Sequence, residues 1–174
     1  IAAIASIHKS IEILYVDDGS QDGSDKIIKQ LKQHDSRISY LALSRNFGKE
    51  IALTAGLNYA QGEFVMIMDA DLQHPPELIP KFIQVAKQGY DIVYARPMNR
   101  EIESWLKRNL TDIFYKTINS VAKIYIPSHA SDFRLLSRRA VDAVKKIKEQ
   151  HRFMKGLFAW IGYPQRSIDY KMDM

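Results

Sequence analysis

Residues 64–76 read FVMIMDADLQHPP, and this stretch determines how the rest of the chain is interpreted. Five apolar residues in succession are typical of a strand covered on both faces, and the run stops at two carboxylates, Asp69 and Asp71. Pro75 and Pro76 then end the strand and favour the first turn of a helix over residues 77–87. The stretch therefore predicts an acidic turn at the carboxyl end of a strand, which is where open parallel sheets bind ligands.

The two carboxylates indicate a cation site. Asp69 and Asp71 repel each other unless a positive charge lies between them, and hard oxygen ligands of this kind suit Mg²⁺ or Mn²⁺. Such a metal takes the rest of its ligands from water and from substrate phosphates. The alternative is that D-x-D is only a polar turn, and its position directly after an apolar strand favours a site.

Length and composition favour one soluble domain over residues 1–174. The chain is 46% hydrophobic, enough for one core, and it contains no run of about 18 apolar residues and no signal-peptide pattern. Without cysteine there are no disulfides, thiolate metal sites or cysteine nucleophiles, which fits a reducing compartment. We therefore expect a cytoplasmic location.

The charge is basic and unevenly distributed. Lys and Arg number 25 against 20 Asp and Glu, a formal net charge of +5, and most of the surplus lies in residues 96–123 and 134–155. A phosphorylated substrate, an anionic membrane face and nucleic acid all suit such a surplus. The sequence has no zinc-finger spacing, RNA-binding aromatic pattern or polybasic block, so nucleic acid is not expected as a partner.

Strand and helix patterns alternate through the first half of the chain. Strands are predicted at residues 11–16, 38–43, 64–68 and 91–95, with helices at 25–34, 49–60 and 77–87, which indicates a mostly parallel sheet with helical crossovers. The second half predicts a long amphipathic helix over 103–122, an extended piece at 131–137, helices at 138–148 and 152–161, and an edge strand at 165–172. The 103–122 helix suits either core packing or a membrane surface. Both ends read as if cut from a longer protein.

A second acidic pair follows the first strand. Asp17 and Asp18, next to Gly19 and Ser20, are placed where a carboxylate could accept a hydrogen bond from a ring N–H of a nucleotide base, and Asp69 and Asp71 would then hold metal and diphosphate. The ligand indicated is a nucleoside diphosphate derivative. Neither a P-loop nor a G-x-G-x-x-G follows a strand, which argues against a P-loop NTPase and a nicotinamide fold.

Four motifs in order carry a family resemblance. They are VDDGS at residues 16–20, SRNFGK at 44–49, DADLQHP at 69–75 and SDFRLLS at 131–137, with RFMKG at 152–156 and WIG at 160–162 in support. Together they resemble the inverting family 2 glycosyltransferases, and within them the polyprenyl-phosphate sugar transferases such as dolichol-phosphate mannose synthase and bactoprenol glucosyltransferase. The likeness spans residues 11–170 and lacks only the family's first strand and its C-terminal membrane helices.

The resemblance implies a GT-A fold, a three-layer α/β/α sandwich with a mostly parallel sheet, and transfer of a hexose from a nucleotide-diphosphate sugar to a polyprenyl phosphate. UDP-glucose is the first choice of donor and GDP-mannose the second. Mg²⁺ or Mn²⁺ is the implied cofactor. The implied location is the cytoplasmic face of the cell membrane, with contact to the membrane surface and a possible homo-oligomer.

The resemblance also implies roles for individual residues. The catalytic residues are Asp71, Asp132 and Arg134, where Asp132 is either a general base or the partner that orients Arg134. Metal ligands are Asp69, Asp71 and Gln73. The nucleotide sugar is contacted by Asp17, Asp18, Gly19, Ser20, Lys49, Asp69 and Asp71, with Asp18 preferred for the base. The acceptor phosphate is held by Arg96, Lys107, Arg108 and Arg134.

Two other classes of protein stay open at this point. A phosphoacceptor receiver domain also has an acidic pair after its first strand and an aspartate after its third, but it needs a hydroxyl where Ala95 lies and it is shorter. A module that binds a sugar nucleotide without transferring the sugar is the second alternative. Turnover distinguishes that module from an enzyme.

Overall fold

The structure, a computed structural model, describes residues 11–71, 73–98, 117, 126–127, 130–149 and 152–170. Ile1, Ile4 and Ile7 are spaced as in a helix, so the sequence also predicts the end of a helix over residues 1–10, which lies outside the described residues. The amphipathic helix predicted over 103–122 lies outside them too, except for Thr117. Lys107 and Arg108, two of the predicted acceptor-phosphate residues, fall in the same undescribed stretch.

The described elements follow the predicted order. The strands are β1 Ile13–Asp17, β2 Ile38–Ala42, β3 Phe64–Ile67, β4 Ile92–Pro97, β5 Arg134–Ser137 and β6 Gln165–Tyr170. The helices are α1 Ser24–His34, α2 Lys49–Tyr59, α3 Ile79–Ala86, α4 Arg138–Lys146 and α5 Met154–Trp160. A 3₁₀ turn, Pro76–Leu78, precedes α3, so the two prolines begin a tight turn and the α-helix itself starts later than predicted. None of these helices combines the length and the apolar composition needed to cross a bilayer.

The strands form a parallel pair and a mixed four-stranded sheet. β1 pairs with β2 in parallel, and the larger sheet has the order β3-β5-β4-β6. β4 and β6 are parallel, whereas β5 is antiparallel to both β3 and β4, so only β5 runs against the other three. The chain enters β5 beside the carboxyl end of β4, where Ser131 N–H donates to the carbonyl of Ala95 (3.0 Å), and then runs back along β4.

Two hydrophobic cores cover the two faces of the four-stranded sheet. Val65 and Ile67 of β3 pack into a core that includes residues of α2, α4 and α5, while Phe64 and Met66 pack into a core formed with α3 and β6. In β5, Leu136 belongs to the first core and Leu135 to the second. This alternation covers residues 64–67 on both faces and produces the three-layer α/β/α arrangement. Met68, predicted as the last residue of the buried strand, lies beyond β3 and is 43% exposed.

The burial of β5 generates a prediction about stability. Leu136 is fully buried, and Leu136→Ala is expected to lower the free energy of unfolding by about 2–5 kcal/mol through lost contacts and a residual cavity. The matched control is Leu31→Ala on the outer face of α1, where the side chain is 41% exposed and the expected loss is below about 0.5 kcal/mol. Urea unfolding of the two variants measures the difference, and equal losses would contradict this assignment of the core.

Candidate active site

The acidic turn after β3 and the SDFR segment before β5 lie side by side. β3 and β5 pair so that Ile67 is opposite Arg134. Continuing this register by two residues beyond the strand ends brings Asp69 next to Asp132. Two motifs that are more than sixty residues apart in the sequence therefore meet at one edge of the sheet because the strands are antiparallel.

The Lys49 ammonium lies between these two carboxylates. Its Nζ is 2.8 Å from Oδ2 of Asp69 and 2.7 Å from Oδ2 of Asp132. Burial alone would lower the pKa of Lys49, but the hydrogen bonds to Asp132 and Asp69 outweigh burial and raise it. Lys49 thus places a positive charge between the two acidic motifs and joins them.

Asp132 is surrounded by cations. Besides Lys49, Nζ of Lys155 lies 3.7 Å from Oδ1 of Asp132, and the Arg134 guanidinium lies 4.0 Å from the same oxygen. Burial would raise the pKa of Asp132, but the hydrogen bond from Lys49 and the charges of Lys155, Lys49 and Arg134 hold it below its ordinary value. Asp132 is therefore a weaker base than an ordinary aspartate.

Arg134 and Arg96, both predicted to hold the acceptor phosphate, have partners within the protein. Arg134 is only 3% exposed; its guanidinium donates to the carbonyl of Ser131 (2.8 Å) and lies 4.5 Å from the centre of the Phe158 ring. Arg96 makes a two-point hydrogen bond to Asp169 across β4 and β6, at 2.6 and 2.9 Å. Their contact with an acceptor phosphate stays a prediction.

The first acidic pair holds the loops around it. Asp17 is buried and accepts hydrogen bonds from the backbone N–H of Ser20 (2.8 Å) and the hydroxyl of Tyr40 (2.6 Å). These hydrogen bonds, chiefly that of Tyr40, lower the pKa of Asp17, and the same pair raises the pKa of Tyr40 to about 12. Asp17 therefore faces the protein interior.

Asp18 connects the first acidic loop to the beginning of α2. Its two carboxylate oxygens accept from the backbone N–H groups of Phe47 (2.7 Å) and Gly48 (2.8 Å). Gly19 has φ +79°, and a Cβ there would lie 2.6 Å from the carbonyl carbon of Arg45, so only glycine allows the two loops to approach this closely. Asp18 and Gly19 thereby fix the start of α2 and, with it, the position of Lys49, the first residue of that helix. Recognition of a nucleotide by Asp17, Asp18, Gly19 and Ser20 stays a prediction.

His74 ties the acidic turn to the SDFR segment. Its Nδ1 accepts from the backbone N–H of Asp69 (3.1 Å), so the proton of the neutral ring lies on Nε2, which donates to Oγ of Ser131 (3.2 Å). The buried ring also stacks on Phe133, with ring centres 4.9 Å apart and planes 11° apart. The ring is therefore a structural link between the two motifs.

Asp71 and Gln73 lie on the outer part of the acidic turn. Asp71 is exposed, and its Oδ1 accepts from the backbone N–H of Gln73 (3.0 Å). The turn is close to the end of β6, since the charge of Asp71, together with the larger effect of burial, raises the pKa of Tyr170.

The donors of the acidic turn fit the expected divalent metal. In the described part of the chain no three His, Cys, Asp or Glu side chains converge into a metal cage. Mg²⁺ and Mn²⁺ do not need such a cage, because they bind through one or two carboxylates and complete their shell with water and substrate phosphates. Asp69 and Asp71, with the amide oxygen of Gln73 nearby in sequence, are hard oxygen donors of this type.

Sequence reasoning missed three contributors to this region: Tyr40, His74 as a structural link, and Lys155. A signal for Lys155 was present, since it lies in the RFMKG motif. Its position depends on Glu50, whose Oε2 accepts from the backbone N–H of Met154 (2.9 Å) at the beginning of α5. Glu50 follows Lys49 in the first turn of α2. This turn therefore positions Lys49 directly and positions Lys155 through the start of α5, so that both lysines lie near Asp132.

A protein-family profile described as Glycosyl transferase family 2 matches residues 1–145 of the chain. The chain belongs to glycosyl transferase family 2. An uncharacterized glycosyltransferase of Synechocystis sp. is 50% identical over 157 residues, covering 90% of this chain and 49% of that protein. The bactoprenol glucosyl transferase of Shigella phage SfV is 39% identical over 160 residues, covering 92% of this chain and 52% of that protein. The chain thus spans about half the length of the curated relatives it matches.

The fold of this family 2 domain is also found in a solved glycosyltransferase. The mannosyltransferase PcManGT from Pyrobaculum calidifontis, in complex with GDP-Man and Mn²⁺, aligns with a TM-score of 0.59 at 16% identity, covering 91% of this chain and 45% of that one. The comparisons confirm the predicted GT-A α/β fold and the glycosyltransferase class, and they decide against the receiver-domain alternative.

The Tyr40–Asp17 pair generates a pH-dependent prediction. The hydroxyl stabilises the charged carboxylate, so its contribution is present above the ordinary Asp pKa of 3.8 and is lost as the pH falls through the lowered pKa of the folded protein. We expect Tyr40→Phe to lower the free energy of unfolding at neutral pH, where the carboxylate is charged, and to lower it by less near pH 2. Urea unfolding across this range measures it, and a deficit independent of pH would contradict the assignment.

The two hydrogen bonds of His74 can be separated by substitution. In His74→Asn the side-chain oxygen occupies the place of Nδ1 and retains an acceptor for the Asp69 N–H, whereas His74→Leu removes it. We expect the leucine variant to be less stable than the asparagine variant by about 1–3 kcal/mol, the cost of an unpaired backbone donor. Hydrogen exchange of the Asp69 amide, followed by NMR, should be fast only in the leucine variant; equal exchange in the two variants would argue against the link.

Proposed function

We propose that this domain transfers a hexose from a nucleotide-diphosphate sugar to a polyprenyl phosphate, with inversion at the sugar carbon. UDP-glucose is the preferred donor and GDP-mannose the second. Similarity to a bactoprenol glucosyl transferase over 92% of the chain supports this class of acceptor. We also propose that the whole protein works at the cytoplasmic face of the membrane, because a polyprenyl phosphate is held there by its lipid tail.

The observation that carries the proposal is the cationic environment of Asp132. A sugar hydroxyl needs a general base with a pKa near the working pH. The lysines beside Asp132 instead lower the pKa of this carboxyl, away from neutral pH. A phosphate monoester needs no such base, since its second pKa is about 6 and it is mostly dianionic at neutral pH. It needs positive charge to bind and orient it. Asp132 then serves to fix those cations rather than to remove a proton.

The donor side of the proposed site uses the two acidic loops. Asp69, Asp71 and Gln73 would hold Mg²⁺ or Mn²⁺, which when bound neutralises the charge of the departing nucleotide diphosphate. The loop that contains Asp17, Asp18, Gly19 and Ser20 would contact the nucleotide. Asp18 is the preferred partner of the base, and its two hydrogen bonds to residues 47 and 48 leave a carboxylate with further acceptor capacity.

The acceptor side would use the basic residues of the second half. Lys155 lies near Asp132, and Arg96, Lys107, Arg108 and Arg134 are the remaining candidates. For inversion, the acceptor oxygen attacks the sugar from the side opposite the diphosphate. The acceptor phosphate must therefore lie across the sugar from Asp69 and Asp71. The buried Arg134, packed on Phe158, would act by supporting this side of the site.

Asp71→Asn in the full-length protein tests the proposal. We expect the rate of glucose transfer from UDP-glucose to a polyprenyl phosphate to fall about 100-fold or more, the loss seen when charge stabilisation is removed from a transition state. Asp142→Asn on α4, where the carboxylate is half exposed, is the matched control and should leave the rate unchanged. Radiolabelled transfer in detergent micelles measures both.

Parallel assays define the donor and the acceptor. GDP-mannose should support slower transfer than UDP-glucose, and a free oligosaccharide should not replace the polyprenyl phosphate. Transfer to the oligosaccharide at a matching rate would overturn the assignment of the acceptor. Binding of UDP-glucose without any turnover would favour the non-catalytic binding module.

A further inference from the structure

Lys49 occupies the position of a cation at the proposed metal site. Its ammonium is almost equally distant from Asp69 and Asp132, at 2.8 and 2.7 Å, and it contacts the Oδ2 atom of Asp69 directly. All three side chains are partly accessible, with 48% of the Lys49 side chain and 34% of the Asp69 side chain exposed. An ion arriving from solvent can therefore reach the same carboxylate.

Two cations close to one carboxylate repel each other. At separations of about 4 Å near a protein surface the interaction of two unit charges is several kcal/mol, and a divalent ion doubles the charge on one side. Lys49 has a flexible four-carbon stem and a strongly hydrated head group, so it can move without unfolding α2. Asp132 offers a second carboxylate on the far side, so the ammonium keeps a partner if it leaves Asp69.

We propose that Lys49 is a built-in counter-cation that competes with the divalent metal for Asp69 and shifts towards Asp132 when the metal binds. This inference rests on the proposed function in one respect, the presence of the metal at Asp69 and Asp71. Its consequence is that Lys49 weakens the binding of metal alone. The negative diphosphate of the donor offsets the repulsion between the metal and Lys49, so metal and nucleotide bind together more readily than the metal does by itself.

Binding of Mn²⁺ without nucleotide tests this idea. Electron paramagnetic resonance of free Mn²⁺ measures the affinity of the protein for the metal alone, with no need for turnover. We expect Lys49→Met, which keeps the length of the side chain and removes the charge, to bind Mn²⁺ about tenfold more tightly than the unmodified chain. Lys49→Gln is a second neutral variant and should show the same gain, which guards against a folding defect of one variant.

Two controls isolate the charge and its position. Lys49→Arg keeps a positive charge next to Asp69 and should leave Mn²⁺ affinity within about twofold. Lys155→Met removes a lysine whose Nζ contacts Asp132 at 3.7 Å, and it should give a smaller gain than Lys49→Met. Circular dichroism of each variant confirms that the fold is retained.

The outcomes separate this inference from the proposed function. If the unmodified chain binds Mn²⁺ in the presence of UDP-glucose, but neither neutral variant gains affinity for Mn²⁺ alone, the counter-cation role is wrong and the metal assignment stands. If neither the unmodified chain nor any variant binds Mn²⁺, with or without UDP-glucose, both are wrong. A gain in Lys49→Met that Asp69→Asn abolishes in the double variant would support the role of Lys49 through Asp69.

Discussion

The contact between the Lys49 ammonium and the carboxylates of Asp69 and Asp132 is the interaction on which the candidate site depends. It joins three segments that are distant in sequence: the beginning of α2, the turn after β3 and the entry to β5. Without a cation at this point, two carboxylates brought together by strand pairing would repel each other. The antiparallel register of β3 and β5 creates that repulsion, and the lysine removes it.

The position of Lys49 is itself fixed by backbone contacts on both sides. Asp18 accepts from the N–H groups of Phe47 and Gly48, which orients the chain just before α2. Glu50, the next residue of α2, accepts from the N–H of Met154 and so sets where α5 begins. The start of α2 is thus held through two carboxylates. That of Asp18 accepts from the two residues before the helix, and that of Glu50, within the helix, accepts from the start of α5. These two hydrogen-bonded contacts bring the loop of Asp18, the acidic turn and Lys155 into one region.

Much of this arrangement was accessible from the sequence because it is encoded locally. The length and spacing of the apolar runs predicted the strands and helices, and the apolar run before Asp69 placed the acidic turn at a strand end. The burial of Arg134 could also be read from the pattern of residues 133–136. Strand alternation puts Phe133 and Leu135 on one face and Arg134 with Leu136 on the other. Both faces are covered, so Arg134 is buried. The direction of β5 was not accessible in this way, because it depends on where the chain returns after residues 99–129. The contact of Lys49 with Asp132 and the hydrogen bond of His74 to Ser131 follow from that direction, so they became visible only in the structure.

The charge balance of the site explains why a sugar nucleotide and a divalent metal suit it as a pair. Two carboxylates, Asp69 and Asp132, contact three cations, Lys49, Lys155 and Arg134. Asp71 adds a third carboxylate in the same turn as Asp69, so the group is close to neutral before any ligand binds. The diphosphate of a sugar nucleotide carries a negative charge on each phosphate, and alone it would leave the acidic side of this group with an excess of negative charge. In the proposed function, a divalent cation bound with the diphosphate would restore the balance, and Lys49 would keep Asp132 as its partner. For the proposed transfer the acceptor phosphate also needs positive charge, and Lys155, whose Nζ contacts Asp132 rather than the acidic turn, would supply it. The acceptor oxygen would then attack the sugar from the side opposite the diphosphate.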